Sequence, residues 1–415
     1  MRISTIQAFN NGVSGLQRNY ADVTRTQEQI STGNRILTPA DDPVASVRLL
    51  QLEQQQSVLG QYDENLTAAD SSLTQEEVTL NSVNTVLQRV RELAVQAGNG
   101  ALSKEDRESI AAELGEREEE LFALTNTRNA RGEYLFSGFQ GKSQAFVRDA
   151  DGTYSYQGDE GQRKLQIASS LQVPISDSGK AIFENITNAG RLDGALDLTG
   201  APGSTLSAST PLVQDEVAFG STPPFPDAGV EVIFGNPDPT SYEVFEIGAA
   251  APAPVLASGT LDDDPDTTDQ LVFRGVSIQF DGVPVGGESL QVTLDPTQQK
   301  QGILDTIATL RRALEDPSST NAQIRDSVAE SLTNLDNGMV NVDSVRGTIG
   351  ARRNIIETTK TDNEDVTLVN KGIQADLREL DYAEALSRLS FQTIILEASQ
   401  QSYVKIASLN LFNKL

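Results

Sequence analysis

The sequence predicts a mainly α protein with an inserted β domain. Its N- and C-terminal helical arms are expected to form a long antiparallel coiled-coil stem, with the β-rich segment as the outer tip. Three observations carry this prediction. Leucine returns every seventh residue from Leu52 to Leu87, a strand-like alternation fills the middle of the chain, and helical periodicity resumes towards the end.

From Ile3, the residues Ile6, Phe9, Val13, Leu16, Tyr20, Val23 and Ile30 step by three and four, giving a helix with one narrow apolar stripe. The stretch "QISTGNRILTPADDPVASVR" stops that helix and starts another. Gly33 takes the left-handed conformation that closes a helix, Arg35 offers positive charge to the last carbonyls, and Pro39 forbids immediate resumption. Asp42 is expected to cap the second helix, with Pro43 at its first position and Asp41 adding charge that suits the dipole.

The second helix carries Leu52, Leu59, Leu66, Leu73, Leu80 and Leu87, with Ala69, Val83 and Val90 at the second seam position. It closes at "AGNG" around Gly98 and Gly100. Ser103 and Asp106 then form the capping box of a third helix through Ile110, Leu114, Leu121 and Leu124. The acidic run "GEREEEL" around Glu118 reads as a solvated face of that helix.

Near Gly132 the period changes to alternation. "GEYLFSG" and "DGTYSYQGDEGQRKLQI" read as strands, with Tyr154 and Tyr156 on one face and turns at Gly152 and Gly158. Further strands are expected in "VEVIFG", "SYEVFEIG", "QLVFRGVSIQF" and "ESLQVTL", while "STPPFPDAG" and "GAAAPAPVLASG" read as surface loops. Helices resume at Gln298, first through Ile303, Ile307, Leu310 and Leu314, then through Ile324, Val328, Leu335, Met339, Val342, Ile349 and Ile356. The last segment spaces Leu389, Leu396 and Tyr403 by seven, with Ile394, Ile406, Leu409 and Phe412 beside them. A chain that goes out and comes back must lay its terminal helices antiparallel.

Composition removes most other functions. The 415 residues leave room for two or three domains. With no Cys, His or Trp, the chain lacks disulfides, thiolate nucleophiles, Ser-His-Asp or Cys-His constellations and almost every zinc site. No enzyme activity and no cofactor is expected. The net charge of -27 repels a phosphate backbone, and the leucine repeat lacks the basic region that a zipper needs on DNA, so nucleic acid is not an expected partner. Asp262, Asp264 and Asp266 lack the Gly and closing Glu of a calcium loop, and Pro265 stiffens the segment. No apolar run approaches the roughly 18 residues of a membrane span. The N-terminus reads as a retained amphipathic helix with no cleaved secretory signal. Acids dominate from Asp215 to Asp295, whereas the two ends carry nearly equal numbers of each sign, as packed surfaces do.

Four stretches give the sequence a family likeness. "MRISTIQAFNNGVSGLQ", "TQEQISTGNRILTPADDPVASVRLLQLE", "ARGEYLFSGFQGKSQAF" with "YSYQGDEGQ", and "EASQQSYVKIASLNLFNKL" together resemble the bacterial flagellin superfamily. The corner sequence and "GEYLFSG" look like the type found at the hook-filament junction, with the filament subunit as the near alternative. The acidic middle carries no part of the likeness. The resemblance implies an inner helix over residues 1–40, half of a helical shell with a hairpin over 41–147 and an inserted acidic β domain over 148–296. It further implies the other half of the shell over 297–365 and a C-terminal inner helix over 366–415.

It also implies a structural role in motility, adapting the hook to the filament. Partners would be neighbouring copies in a ring, the adjacent hook-associated protein on the hook side, flagellin on the filament side, and a cytoplasmic export chaperone at the C-terminal helix. The location implied is the extracellular flagellum, reached by the flagellar type III route. Subunit packing would then fall to Ile3, Ile6, Phe9, Val13, Leu16, Tyr20, Val23, Ile30, Leu389, Leu396, Tyr403, Ile406, Leu409 and Phe412. The corner of Gly33, Pro39, Asp42 and Pro43 would fix the change of layer. Adhesion to a glycan or host surface through the β tip is the alternative from another class.

So narrow a stripe buries too little to hold a helix alone, so both ends of the chain, residues 1–30 among them, are expected to order only on docking with neighbours. Hydrogen exchange on dilute monomer checks this; fast exchange is expected there, and strong protection would refute it.

Overall fold

The computed structural model describes residues 5–199, 204–235, 238–250, 252–264 and 267–412. Along the chain, α1 (Thr5–Thr32) is followed by α2 (Pro43–Ala97) and α3 (Lys104–Thr125). Short strands come next: β1 (Phe146–Arg148), β2 (Tyr154–Tyr156), β3 (Lys164–Ala168), β4 (Leu171–Pro174) and β5 (Ile186–Thr187). The β-rich segment holds β6 (Leu192–Asp197), β7 (Ser207–Ala208), β8 (Leu212–Val213), α4 (Glu216–Gly220), β9 (Val230–Phe234), β10 (Ser241–Glu246), β11 (Ala257–Thr260), β12 (Thr268–Phe273), β13 (Val276–Asp281) and β14 (Ser289–Leu294). After β15 (Lys300–Gln301) the chain is helical again in α5 (Ile303–Glu315), α6 (Asn321–Arg378) and α7 (Tyr382–Phe412).

The contacts divide the chain into two compact units. One comprises residues 1–66, 167–170 and 357–415, and the other residues 67–166 and 171–356. In the first, α1 and α7 pair antiparallel. Asp381 starts α7 by accepting the N–H groups of Ala383 (2.9 Å) and Glu384 (3.2 Å), so the turn between α6 and α7 is capped as firmly as a helix start requires.

The second unit is built on the leucine repeat. Leu73, Leu80 and Leu87 of α2 are fully buried with Ala69, Val83 and Val90, each leucine contributing about 2 kcal/mol by leaving water. Facing them, α6 buries Leu335, Val342 and Ile349. The two helices run antiparallel, since Arg353 reaches Asp70 (3.0 Å) and Glu77 (2.7 Å) while Arg91 reaches Asp336 (2.7 Å). On α3, Ser103 and Asp106 close the capping box, and Ile110, Leu114 and Leu121 are buried.

Glu118 corrects the expectation of a solvated face, because it is 1% exposed. It lies four residues after Leu114 and three before Leu121, so it shares their buried stripe. Its carboxylate accepts the Tyr154 hydroxyl (2.6 Å), Arg148 (3.2 Å) and the Arg311 Nε (2.8 Å). Cations and a hydroxyl thus offset the cost of removing a charge from water.

The β-rich segment is a two-layer antiparallel structure. One sheet has the order β11-β10-β9-β14-β6, and the other pairs β13 with β12, β7 and β8. Strand β9 alternates as predicted, burying Val230, Val232 and Phe234. Phe234 meets Phe280 of the opposite sheet edge to face at 5.3 Å. Several boundaries differ from the sequence expectation. "QLVFRGVSIQF" is a hairpin, turned by Arg274 (φ 46) and Gly275 (φ 79), because two consecutive left-handed residues suit a tight strand connection. In "GEYLFSG" pairing is limited to a single antiparallel bridge of Tyr134 with Arg128, because Gly132 and Gly138 turn the chain, and the first strand of more than one residue begins at Phe146. "GAAAPAPVLASG" ends in β11, and Lys300–Gln301 is a strand paired with β5, so helix resumes only at Ile303.

One buried acid lacks an adequate counter-charge. Glu76 of α2 is fully buried, and its Oε1 accepts the Asp177 N–H (3.1 Å). The Asp177 carboxylate is itself clamped by Arg352 at 2.7 and 3.0 Å. Burial first, then the Asp177 charge, push the Glu76 carboxyl up to about 8, while Arg352 and Arg163 pull the other way. A carboxyl raised above its unfolded value contributes stability that is fully present below about pH 4.5 and is lost as pH rises through 8. Between those limits the loss is on the order of 3–5 kcal/mol, at about 1.4 kcal/mol per pH unit. Glu76→Gln is expected to remove this slope, which urea unfolding of the two proteins at pH 5, 7 and 9 measures.

Candidate functional site

The corner after α1 is the most tightly specified turn of the first unit. Gly33 stands at φ 71, and its N–H donates to the Gln29 carbonyl (2.8 Å), closing α1. Pro39 is exposed in the turn that follows. Asp42 accepts the Ala45 N–H (2.9 Å) ahead of Pro43, which opens α2.

Two neighbours act otherwise than their spacing suggests. Asp41 does not serve the dipole; it gathers the N–H groups of Leu37 (2.9 Å) and Thr38 (3.0 Å) and pairs with Arg25. The Thr38 and Leu37 N–H groups hold its carboxyl below the ordinary value. Arg35 does not cap α1; its guanidinium donates to the Leu377 carbonyl (2.9 Å) at the end of α6, because the α6–α7 turn lies directly alongside. There the Arg35 N–H meets the Arg378 carbonyl (2.8 Å), and the Leu380 N–H meets the Gly33 carbonyl (3.0 Å).

Beyond the corner, the seam of α1 and α7 is mixed in character. Val13, Leu16, Val23 and Ile30 are half-buried on α1, as are Leu389, Leu396 and Tyr403 on α7. Phe9 is exposed yet touches the Tyr403 ring, with centroids 5.4 Å apart. Tyr20 departs from the expected stripe: it is 65% exposed, and Asn19 takes the seam position beside it. Ile3 lies outside the described residues, as do the side chains of Ile6, Ile406, Leu409 and Phe412.

Polar pairs cross this seam. Asn19 donates to Ser399 (2.9 Å), Thr26 to Gln392 (2.8 Å), and Arg388 to Gln29 (3.1 Å). Asn19 and Thr26 are seven apart, and so are Gln392 and Ser399, a spacing visible in the sequence but hidden by the search for apolar residues. Away from the seam, α7 exposes Leu386, Phe391, Ile394 and Val404. Phe391 is 68% exposed. Large apolar side chains standing in water gain free energy when another surface covers them.

Among the described residues no group of three or more acids is arranged to hold a metal ion. Asp262 of the acidic loop accepts the Thr267 hydroxyl (2.7 Å), while the Asp262 N–H donates to Asp269. Pro265 and Asp266 lie outside the described residues. No described helix is long and apolar enough to cross a membrane.

Comparison with known proteins gives these helices a context. Residues 3–141 match the bacterial flagellin N-terminal helical region. Over 188 residues the chain is 35% identical to flagellar hook-associated protein 3 of Salmonella typhimurium, and 32% identical to that of Escherichia coli. Each match covers 45% of this chain and 58% of the relative, so the chain spans under two thirds of the length of these curated relatives. The crystal structure of the flagellar junction protein FlgL from Legionella pneumophila superposes with a TM-score of 0.61 at 26% identity, covering 80% of this chain and all of that one.

Two glycines, Gly33 just after α1 and Gly15 within it, separate the corner from the helix. Gly33→Ala puts a side chain on left-handed backbone, at about 1–2 kcal/mol, with its Cβ 3.0 Å from the Tyr382 hydroxyl. Gly15 has open space around it, so Gly15→Ala favours the same helix by about 1 kcal/mol. Circular dichroism is expected to show lower helix content for the first variant and higher for the second.

Proposed function

We propose that this chain, a member of the bacterial flagellin superfamily through its N-terminal helical region, is a structural protein of the flagellum that joins the hook to the filament. The observation that carries this reading is the terminal helix pair. It has a firm corner at one end, a seam of mixed polar and apolar contacts, and large apolar side chains turned outward. A helix pair of that kind gains most of its burial from neighbours, which is what a subunit of a ring requires. Similarity to hook-associated protein 3 over the matched 188 residues supports the same role.

In this reading the terminal helices, including Ile3 to Ile30 and Leu389 to Phe412, pack against the same helices of neighbouring copies. Residues 1–40 and 366–415 form the inner layer, the shell spans 41–147 and 297–365, and the acidic domain of 148–296 projects into water. The corner at Gly33, Pro39, Asp42 and Pro43 fixes the change between layers. Partners are the adjacent hook-associated protein on one side, flagellin on the other, and a chaperone that masks α7 before export through the flagellum. The work is assembly, and no step of it is catalytic.

The filament subunit is the competing reading, favoured by the match of residues 3–141 to the flagellin N-terminal region. Deleting the gene separates the two. Cells with bare hooks and flagellin monomers in the medium are expected for the junction role. Bare hooks without shed flagellin would identify the filament subunit, and swimming cells would remove the protein from the flagellum altogether.

A further inference from the structure

An asparagine followed by glycine can lose its side-chain amide to its own backbone, because the next residue has no Cβ to shield the nitrogen that attacks. The chain has such a step at Asn11 with Gly12, at Asn99 with Gly100 and at Asn337 with Gly338. The first and last lie inside α1 and α6, where a helix commits the glycine N–H to the carbonyl four residues back. Asn99 and Gly100 are instead exposed, in the turn between α2 and α3.

That turn presents both reacting groups. The Leu102 N–H donates to the Asn99 carbonyl (3.1 Å) and closes it, while the Gly100 N–H donates to no described group. The Ala101 N–H donates to Asn99 Oδ1 (3.2 Å), which folds the carboxamide forward along its own chain. A donor on that oxygen also stabilises the negative charge that gathers there when the carbon beside it is attacked.

We propose that Asn99 is a site of spontaneous modification, becoming aspartate and isoaspartate in the folded protein. The Gly100 nitrogen gives its proton to water and bonds to Asn99 Cγ. The bond from Cγ to the side-chain nitrogen breaks, and ammonia leaves. Water then opens the five-membered imide at either carbonyl, so the sum consumes one water and releases one ammonia without oxidation or reduction. Opening at the main-chain carbonyl routes the backbone through the former side chain and lengthens the turn. The new carboxylate enters a cleft that Asn99 lines with Arg107 of α3, Arg325 of α6 and Asp281 of β13. Asp281 already holds Arg325 at 2.8 and 3.2 Å, so Arg107 is the cation left to face it.

The purified full-length protein is held in mildly alkaline buffer, with and without urea, and digested with trypsin, which releases residues 92–104 as one peptide. In the folded protein this peptide is expected to gain the mass of an amide turned acid, and to become a substrate of isoaspartyl methyltransferase. It should do so at least about tenfold faster than the peptides holding Asn11 and Asn337, which must first give up a helix hydrogen bond. In urea the three steps are expected to react alike. Gly100→Ala has open space for its methyl group and no left-handed backbone to oppose it. It is expected to slow the folded reaction about tenfold with an unchanged unfolding midpoint. An intact amide at Asn99 in the folded protein, equal rates at the helical steps before urea is added, or no slowing by Gly100→Ala would each overturn the proposal.

Discussion

Two backbone hydrogen bonds tie the end of α1 to the end of α6, and the terminal helix pair depends on them. The Arg35 N–H meets the Arg378 carbonyl, and the Leu380 N–H meets the Gly33 carbonyl, so two helix ends satisfy each other across a single β-bridge of Asn34 and Glu379. A helix leaves its last carbonyls unpaired, and here the Arg35 guanidinium takes one of them as well. Once these ends are joined, α1 and α7 start from a common point and must run side by side. The register of the pair is set at that point, before any side chain of the seam is considered.

The second unit manages charge differently at two buried acids. Glu118 sits among apolar neighbours on α3 and receives Tyr154, Arg148 and Arg311, so its charge is compensated where it stands. Glu76 receives one N–H from Asp177, whose own charge is already satisfied by Arg352, and its second oxygen has no described partner. The first acid joins α3, β2 and α5 into one layer. The second has its carboxyl pushed up, first by burial and then by the Asp177 charge beside it.

The helices were legible because burial follows period. A leucine every seventh residue is apolar surface that must be covered, and Leu66, Leu73, Leu80 and Leu87 are all buried. Caps were legible for the same local reason: Ser103 with Asp106, and Asp42 with Pro43, satisfy nearby N–H groups within a few residues. What escaped the reading depends on partners distant in sequence. Glu118 looks solvated until Arg311, 193 residues away, is placed beside it. The turn at Arg274 and Gly275 is hidden because arginine rarely adopts a left-handed backbone. Of the seam between α1 and α7, the half-buried positions of α1 could be read from their spacing, but Tyr20 could not, since a helix stripe drifts and Asn19 finds Ser399 instead.

That polar substitution bears on what the terminal pair can do. Thr26 and Gln29 are among the few residues of α1 that are well buried, and each spends its side chain on a directional bond to α7 or the corner. Net hydrogen bonds of this type contribute about 1 kcal/mol each, less than a buried leucine, but they are satisfied in one alignment only. The seam is therefore specific before it is strong. Strength is left to the outward face, where Phe391, Ile394 and Val404 stand in water and gain only when another surface covers them. A pair so divided takes its alignment from directional bonds, while its exposed apolar face gains free energy only where another surface covers it.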